Sequence, residues 1–139
     1  MSTRKQPLTK ARAMSRYEYR LPDIPPSNNK FIGRENRWEY QKIKKQWALL
    51  ISVACCPKPP APIERAIVHI KYHFKDRIRR DPDNYSGKMI LDGLVRAGIL
   101  SDDSFFCVEL KLSADFGNKS DENIKGTTEI SIEEVKQIV

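Results

Sequence analysis

Between residues 79 and 103 the chain runs RRDPDNYSGKMILDGLVRAGILSDD. Asp81 and Asp83 follow the pair Arg79-Arg80, and a second acidic pair, Asp102-Asp103, closes the segment. Carboxylates two residues apart point the same way where the backbone is extended. Left bare they repel, and a divalent cation favours both ionised forms at once. Hard oxygen ligands suit Mg²⁺ or Mn²⁺, ions that keep several waters and meet phosphate directly. Carboxylates beside concentrated positive charge can therefore hold a metal against a phosphate backbone that the protein also attracts. Lys88 and Asp92 are four residues apart and share a face if the intervening chain is helical. An ammonium placed there can neutralise a phosphate or a developing alkoxide.

Each of these residues also has an ordinary reading. Asp83 suits a helix N-cap, Lys88 and Asp92 a surface ion pair, and Asp102-Asp103 a polar turn. A calcium loop fits poorly. Asp81, Asp83 and Asp92 fall at loop positions 1, 3 and 12, but Ser86 stands where glycine is needed and position 12 is not Glu.

The elements that must position these groups follow from periodicity. Residues 17–24 predict a short edge strand limited by Pro22, and Pro25-Pro26-Ser27-Asn28-Asn29 predicts a rigid turn. Residues 36–54 predict a helix, with Trp38, Ile43, Trp47, Leu50 and Ile51 assigned to the core and three lysines between them. The two tryptophans read first as core residues, with base-stacking platforms as the weaker alternative. Four prolines between 57 and 62 make a stiff loop. Residues 64–75 alternate as a strand, with Ala66, Val68, Ile70, Tyr72 and Phe74 on one face. His69, Lys71, His73 and Lys75 fall on the other, which reads as a basic face able to approach phosphate. Residues 84–97 predict a second helix capped by Asp83 or Asn84, residues 105–114 a third strand, and residues 127–133 a fourth, with the last residues as a frayed helix. A polar loop is expected between Gly117 and Gly126. The expected order is β-α-β-α-β-β, an α/β (α+β) domain with a single mixed four-stranded sheet and two main helices. It occupies residues 17–139, behind a basic, acid-free arm at 1–16.

Lys and Arg number 25 against 18 Asp and Glu, a net charge of +7. That excess favours a polyanionic partner, most often nucleic acid. The arginines and lysines near the acidic segment, Lys71, Lys75, Arg77, Arg79 and Arg80, are the candidate backbone contacts. Cys55, Cys56 and Cys107 are an odd set without metal-ligand spacing, which fits a reducing cytoplasm rather than a disulfide framework. The apolar runs fall far short of a membrane span.

Taken together, Arg79-Arg80, Asp81-Pro82-Asp83-Asn84, Lys88, Ala97-Gly98 and Asp102-Asp103, preceded by Pro25-Pro26-Ser27-Asn28-Asn29, resemble the motifs of the RusA family of Holliday junction resolvases. The resemblance spans residues 17–133. It implies a Mg²⁺-dependent endonuclease (Mn²⁺ serving in its place) that resolves four-way DNA junctions as a homodimer, without a small-molecule cofactor. It further implies Asp81, Asp83 and Asp103 as metal-binding catalytic residues and Lys88 as the catalytic cation. Asp92, Asn28 and Asn29 match additional family positions. One extra residue separates Asp83 from Lys88, and Pro82 replaces an aliphatic residue. Two alternatives stay open, a non-catalytic junction-binding accessory protein and a nuclease for other branched DNA.

Overall fold

The chain forms β1 (Ala13–Leu21), α1 (Arg37–Ala54), β2 (Ala66–Phe74), α2 (Lys88–Arg96), β3 (Val108–Phe116) and β4 (Thr127–Val135). These elements are seen in a computed structural model that describes residues 13–31, 34–117 and 126–136. The sheet order is β1-β4-β2-β3. β4 runs antiparallel to both β1 and β2, whereas β2 and β3 are parallel. Parallel neighbours need a crossover, and α2 supplies it. The expected α/β architecture, one mixed four-stranded sheet with two main helices, is the observed one.

Alternation places the core. Ala66, Val68, Ile70, Tyr72 and Phe74 of β2 are buried, with Thr128, Ile130 and Ile132 of β4 beside them. Trp47 and Ile51 of α1 and Met89, Ile90 and Leu94 of α2 cover this face. The helices meet at Gly93, where a Cβ would stand 2.5 Å from Ile51 Cδ1. Glycine at that position permits the close approach.

Several boundaries differ from the expected ones, each for a physical reason. β1 begins at Ala13 rather than 17, because Ala13 and Ser15 to Arg16 pair with Val135, Glu134 and Glu133 of β4. The last four residues of the expected arm are therefore strand, and residues 1–12 lie outside the described residues. For the same reason β4 continues to Val135 where a frayed helix was expected, and residues 137–139 lie outside the description. So do 118–125, within the expected polar loop. β3 starts at Val108 because a turn over 104–107 precedes it, with the Cys107 and Val108 N–H groups donating to Ser104 O. α2 begins at Lys88 rather than 84. Gly87 occupies its N-cap position with φ +82°, a left-handed conformation that stops the helix extending backwards. Among the described residues no helix is long and apolar enough to cross a membrane.

The helix-free face of the sheet is not the basic surface that β2 alone suggests. β3 and β4 lay acids beside it. Lys71 Nζ stands 3.7 Å from Asp115 Oδ2. His73 holds Asp115 through Nδ1 at 2.8 Å and Glu129 through Nε2 at 2.7 Å. His69 Nε2 contacts Ser113 Oγ at 2.7 Å. The hydrogen bonds from His73 and then Arg20 hold the Glu129 carboxyl below its ordinary range.

Candidate functional site

The acidic turn is set in place by the chain just before it. Asp76, at the exit of β2, is buried although charged. Its Oδ1 accepts from Arg80 Nη1 at 2.7 Å and from the Ile78 N–H at 3.2 Å. The Arg80 guanidinium also lies over the Phe74 ring, 4.3 Å from the centroid. Arg80 is therefore committed to the fold, and its hydrogen bond to Asp76 raises its already high pKa. This tie returns the chain to the sheet, so Asp81 leaves it in an extended conformation, φ −104° and ψ 141°.

Pro82, with its fixed φ, then opens a single 3₁₀ turn over Pro82–Asn84. The Asn84 N–H donates to Asp81 O at 3.0 Å, and the Tyr85 N–H to Pro82 O at 3.1 Å. Asp81 thus stands on extended backbone just before the turn and Asp83 within it, and both are exposed. Asp83 is not the cap of α2, since Gly87 holds that place. Arg79, 89% exposed, reaches Asp81 Oδ1 through Nε at 3.3 Å. Lys75 and Arg77 are exposed on the same loop.

The Pro-Pro-Ser-Asn-Asn run docks on this turn from far away in sequence. Asn28 Nδ2 donates to Asp83 O at 3.0 Å and to Ser86 Oγ at 3.1 Å. Asn29 is exposed, and its N–H donates to Ser27 Oγ at 3.2 Å. Asn28 therefore braces the turn, whereas Asn29 faces solvent.

Lys88 and Asp92 share a face of α2, with Lys88 Nζ 3.9 Å from Asp92 Oδ2. Lys44 of α1 is closer to the same oxygen, at 3.4 Å. That oxygen is shut off from solvent and has no hydrogen bond of good geometry, so two ammonium groups hold it by charge alone. Asp92 is mostly covered and ties α1 to α2. Lys88 keeps most of its surface free.

Asp103 stands elsewhere. The Asp102 carboxylate accepts the Asp103 N–H at 2.8 Å, and both residues are exposed. On one side of them the Ser101 N–H donates to Ile63 O, ahead of β2; on the other, Ser104 O receives the first N–H of β3. Asp102-Asp103 therefore lies where β2 and β3 begin. Asp81 lies where they end, lining a cleft with Tyr72, Phe74, Tyr85, Ala114 and Phe116. Nine-residue strands separate those ends by roughly 27 Å. Among the described residues no three His, Cys, Asp or Glu side chains are gathered closely enough to hold a metal ion. One chain thus brings together Asp81, Asp83 and the Asn28 brace, with Lys88 at the head of the helix that follows. Asp103 is not among them.

Three residues of this arrangement were not singled out from the sequence. Asp76 pairs with Arg80 at i,i+4 spacing, a signal obscured because the segment is neither helix nor strand. Lys44 and Ser86 act through partners distant in sequence, which no local pattern announces. No family model and no curated protein matches the chain.

Proposed function

We propose that this protein is a metal-dependent endonuclease for branched DNA, acting on four-way junctions as a homodimer. The observation that carries the reading is the hydrogen bond from Asn28 to Asp83 O, which joins two motifs 55 residues apart at one turn. Asp81 and Asp83 are exposed hard-oxygen ligands on a turn flanked by exposed Lys75, Arg77 and Arg79. They fit Mg²⁺ or Mn²⁺, which leave most of their coordination shell to water. Such an ion supplies an activated water and stabilises the leaving oxygen. The chain's own groups do the rest. Lys88, free on its outer side, offsets charge on the phosphate, while Lys75, Arg77 and Arg79 hold the backbone and make affinity fall steeply with salt. Arg80 and Lys71 serve less directly, being paired with Asp76 and Asp115.

The separation of Asp103 from the turn gives the homodimer a chemical purpose. Two-fold pairing that sets the 101–104 loop of one copy against the acidic turn of the other completes each site with a third carboxylate. The same separation would be met in a junction-binding accessory protein that does not cut, and one experiment distinguishes the two. Asp81→Asn and Asp103→Asn are each expected to abolish cutting of a synthetic four-way junction in Mg²⁺. Mixed after unfolding and refolding together, they form hybrid dimers in which one of the two shared sites is intact, so nicking returns. If each single variant is dead and the mixture stays dead, the shared site is wrong. If the unmodified protein binds junctions and never cuts them with any divalent metal, the accessory reading replaces the nuclease.

A further inference from the structure

The two tryptophans of α1 divide sharply. Trp47 is buried, 7% exposed, and belongs to the core, whereas Trp38 is 83% exposed. At about 100° per residue, nine residues carry Trp38 to the opposite side of the helix. On that outward side Trp38 is grouped with Gln41, Lys42, Lys45 and Gln46, which line a shallow surface groove. Lys42 and Lys45 are exposed, and neither has an ion-pair partner among the described residues. No carboxylate lines this groove. An indole with so much bare surface costs solubility and contributes nothing to packing.

This end of α1 is also the end nearest the acidic turn. Phe31, which closes the Asn28–Phe31 turn, packs edge-on against Tyr40 of α1 with centroids 5.2 Å apart. The same turn holds Asp83 through Asn28. The N-terminal end of α1 is thus tied to the candidate site through its inner side at Tyr40, while Trp38 stands on the outer side of the same end.

We propose that Trp38, Lys42 and Lys45 form a contact for an unpaired strand of nucleic acid, Trp38 stacking on an exposed base and the lysines meeting the flanking phosphates. The proposal rests on the reading that the partner is DNA and adds where an unpaired strand is held. Leu49 and Val53, also exposed, continue this side of α1 toward its C-terminal end, but the Trp38 end carries Lys42 and Lys45. A second copy laid there would set lysine against lysine, whereas a polyanion meets both favourably. An indole face accepts any base, so the contact is indifferent to sequence and suits the unstacked nucleotides at a branch point.

Titration of the full chain with single-stranded oligothymidylate in EDTA tests the proposal, because stacking quenches indole emission and no metal or cleavage is involved. Quenching is expected to be confined to the long-wavelength, solvent-exposed component, with the buried Trp47 as an internal reference. Trp38→Ala is expected to remove the quenching and weaken binding about 5- to 150-fold, the range for one aromatic stacking contact. Lys42→Ala with Lys45→Ala is expected to lower the salt slope by about 1.4, at about 0.7 per phosphate contact on a single strand. Because the Trp38 side chain is almost wholly exposed, the variant should keep the parent's unfolding midpoint. If oligothymidylate binds parent and Trp38→Ala equally, or if Trp38→Ala instead abolishes self-association, the proposal is overturned. Asp81→Asn separates the two readings. Quenching retained alongside lost cutting supports both, and Trp38 quenching in a protein that never cuts removes only the nuclease.

Discussion

Gly87 is the hinge on which the acidic turn and α2 both depend, and alanine there should be costly in a way that can be dissected. Two terms are visible. At φ +82° an L-residue is strained, and a Cβ would lie 2.8 Å from Ile70 Cδ1 in a fully buried part of the core. Left-handed strain costs about 1–2 kcal/mol, and crowding one methyl into a packed core about 1–3 kcal/mol. Restricting the unfolded chain returns about 0.4–1 kcal/mol. The terminus of Ile70 can give slightly, so the lower half of the crowding range applies, and Gly87→Ala should lose about 2–3 kcal/mol. Gly98 supplies the control. It has φ +80° with nothing within 4 Å of its would-be Cβ, so only strain remains. Gly98→Ala should lose about 1 kcal/mol or less once the entropic gain is deducted. Urea unfolding of both variants beside the parent measures the difference. Equal losses would refute the packing of Gly87 against Ile70, and with it the placement of the turn over the sheet.

Other outcomes follow from the same contacts. A thiol reagent at neutral pH should label Cys56 at once and Cys55 only on unfolding, since Cys56 is exposed while burial, then the neighbouring Cys56, pushes the Cys55 thiol up to about 12. Asp92→Ala should destabilise by about 1–2 kcal/mol in urea, because it strands Lys44 and Lys88, while the partial exposure of both lysines keeps the loss below that of a fully buried pair. Glu129 has a lowered pKa in the folded chain, so its stabilisation is present above the ordinary carboxylate range and fades as pH falls through the lowered value. Glu129→Gln should accordingly flatten the acid side of a plot of unfolding midpoint against pH.

Much of this was legible in the residues. The period-two pattern of 64–75 identifies β2 because only one of its faces is buried. The spacing of Ile43, Trp47, Leu50 and Ile51 identifies α1 for the corresponding reason. Trp38 was wrongly assigned to the core: nine residues place it opposite Trp47, an opposition that a count of apolar residues at helical spacing hides. The start of α2 was misplaced because Asp-Pro-Asp-Asn resembles a helix start, whereas the helix waits for the left-handed Gly87. The basic face failed because it was read from β2 alone, and the acids that pair with it arrive on β3 and β4 by register. Asp103 is the instructive residue. A strand, a helix and a parallel strand must return the chain to the end from which it started, so the second acidic pair had to lie opposite the first. What no residue announces is the docking of Asn28 on Asp83, a contact across 55 positions that depends on the whole fold.

The most direct measurement of the central claim is cleavage of a synthetic four-way DNA junction by the purified protein in Mg²⁺, with Asp81→Asn as comparison. Paired cuts near the branch point are expected, absent in EDTA, with a loss of about a hundredfold or more in the variant, the scale of one group that stabilises developing charge. Asp81 is exposed, and among the described residues its carboxylate pairs only with the exposed Arg79, so the variant should fold as the parent does. Cutting by Asp81→Asn at the parent's rate would contradict the claim.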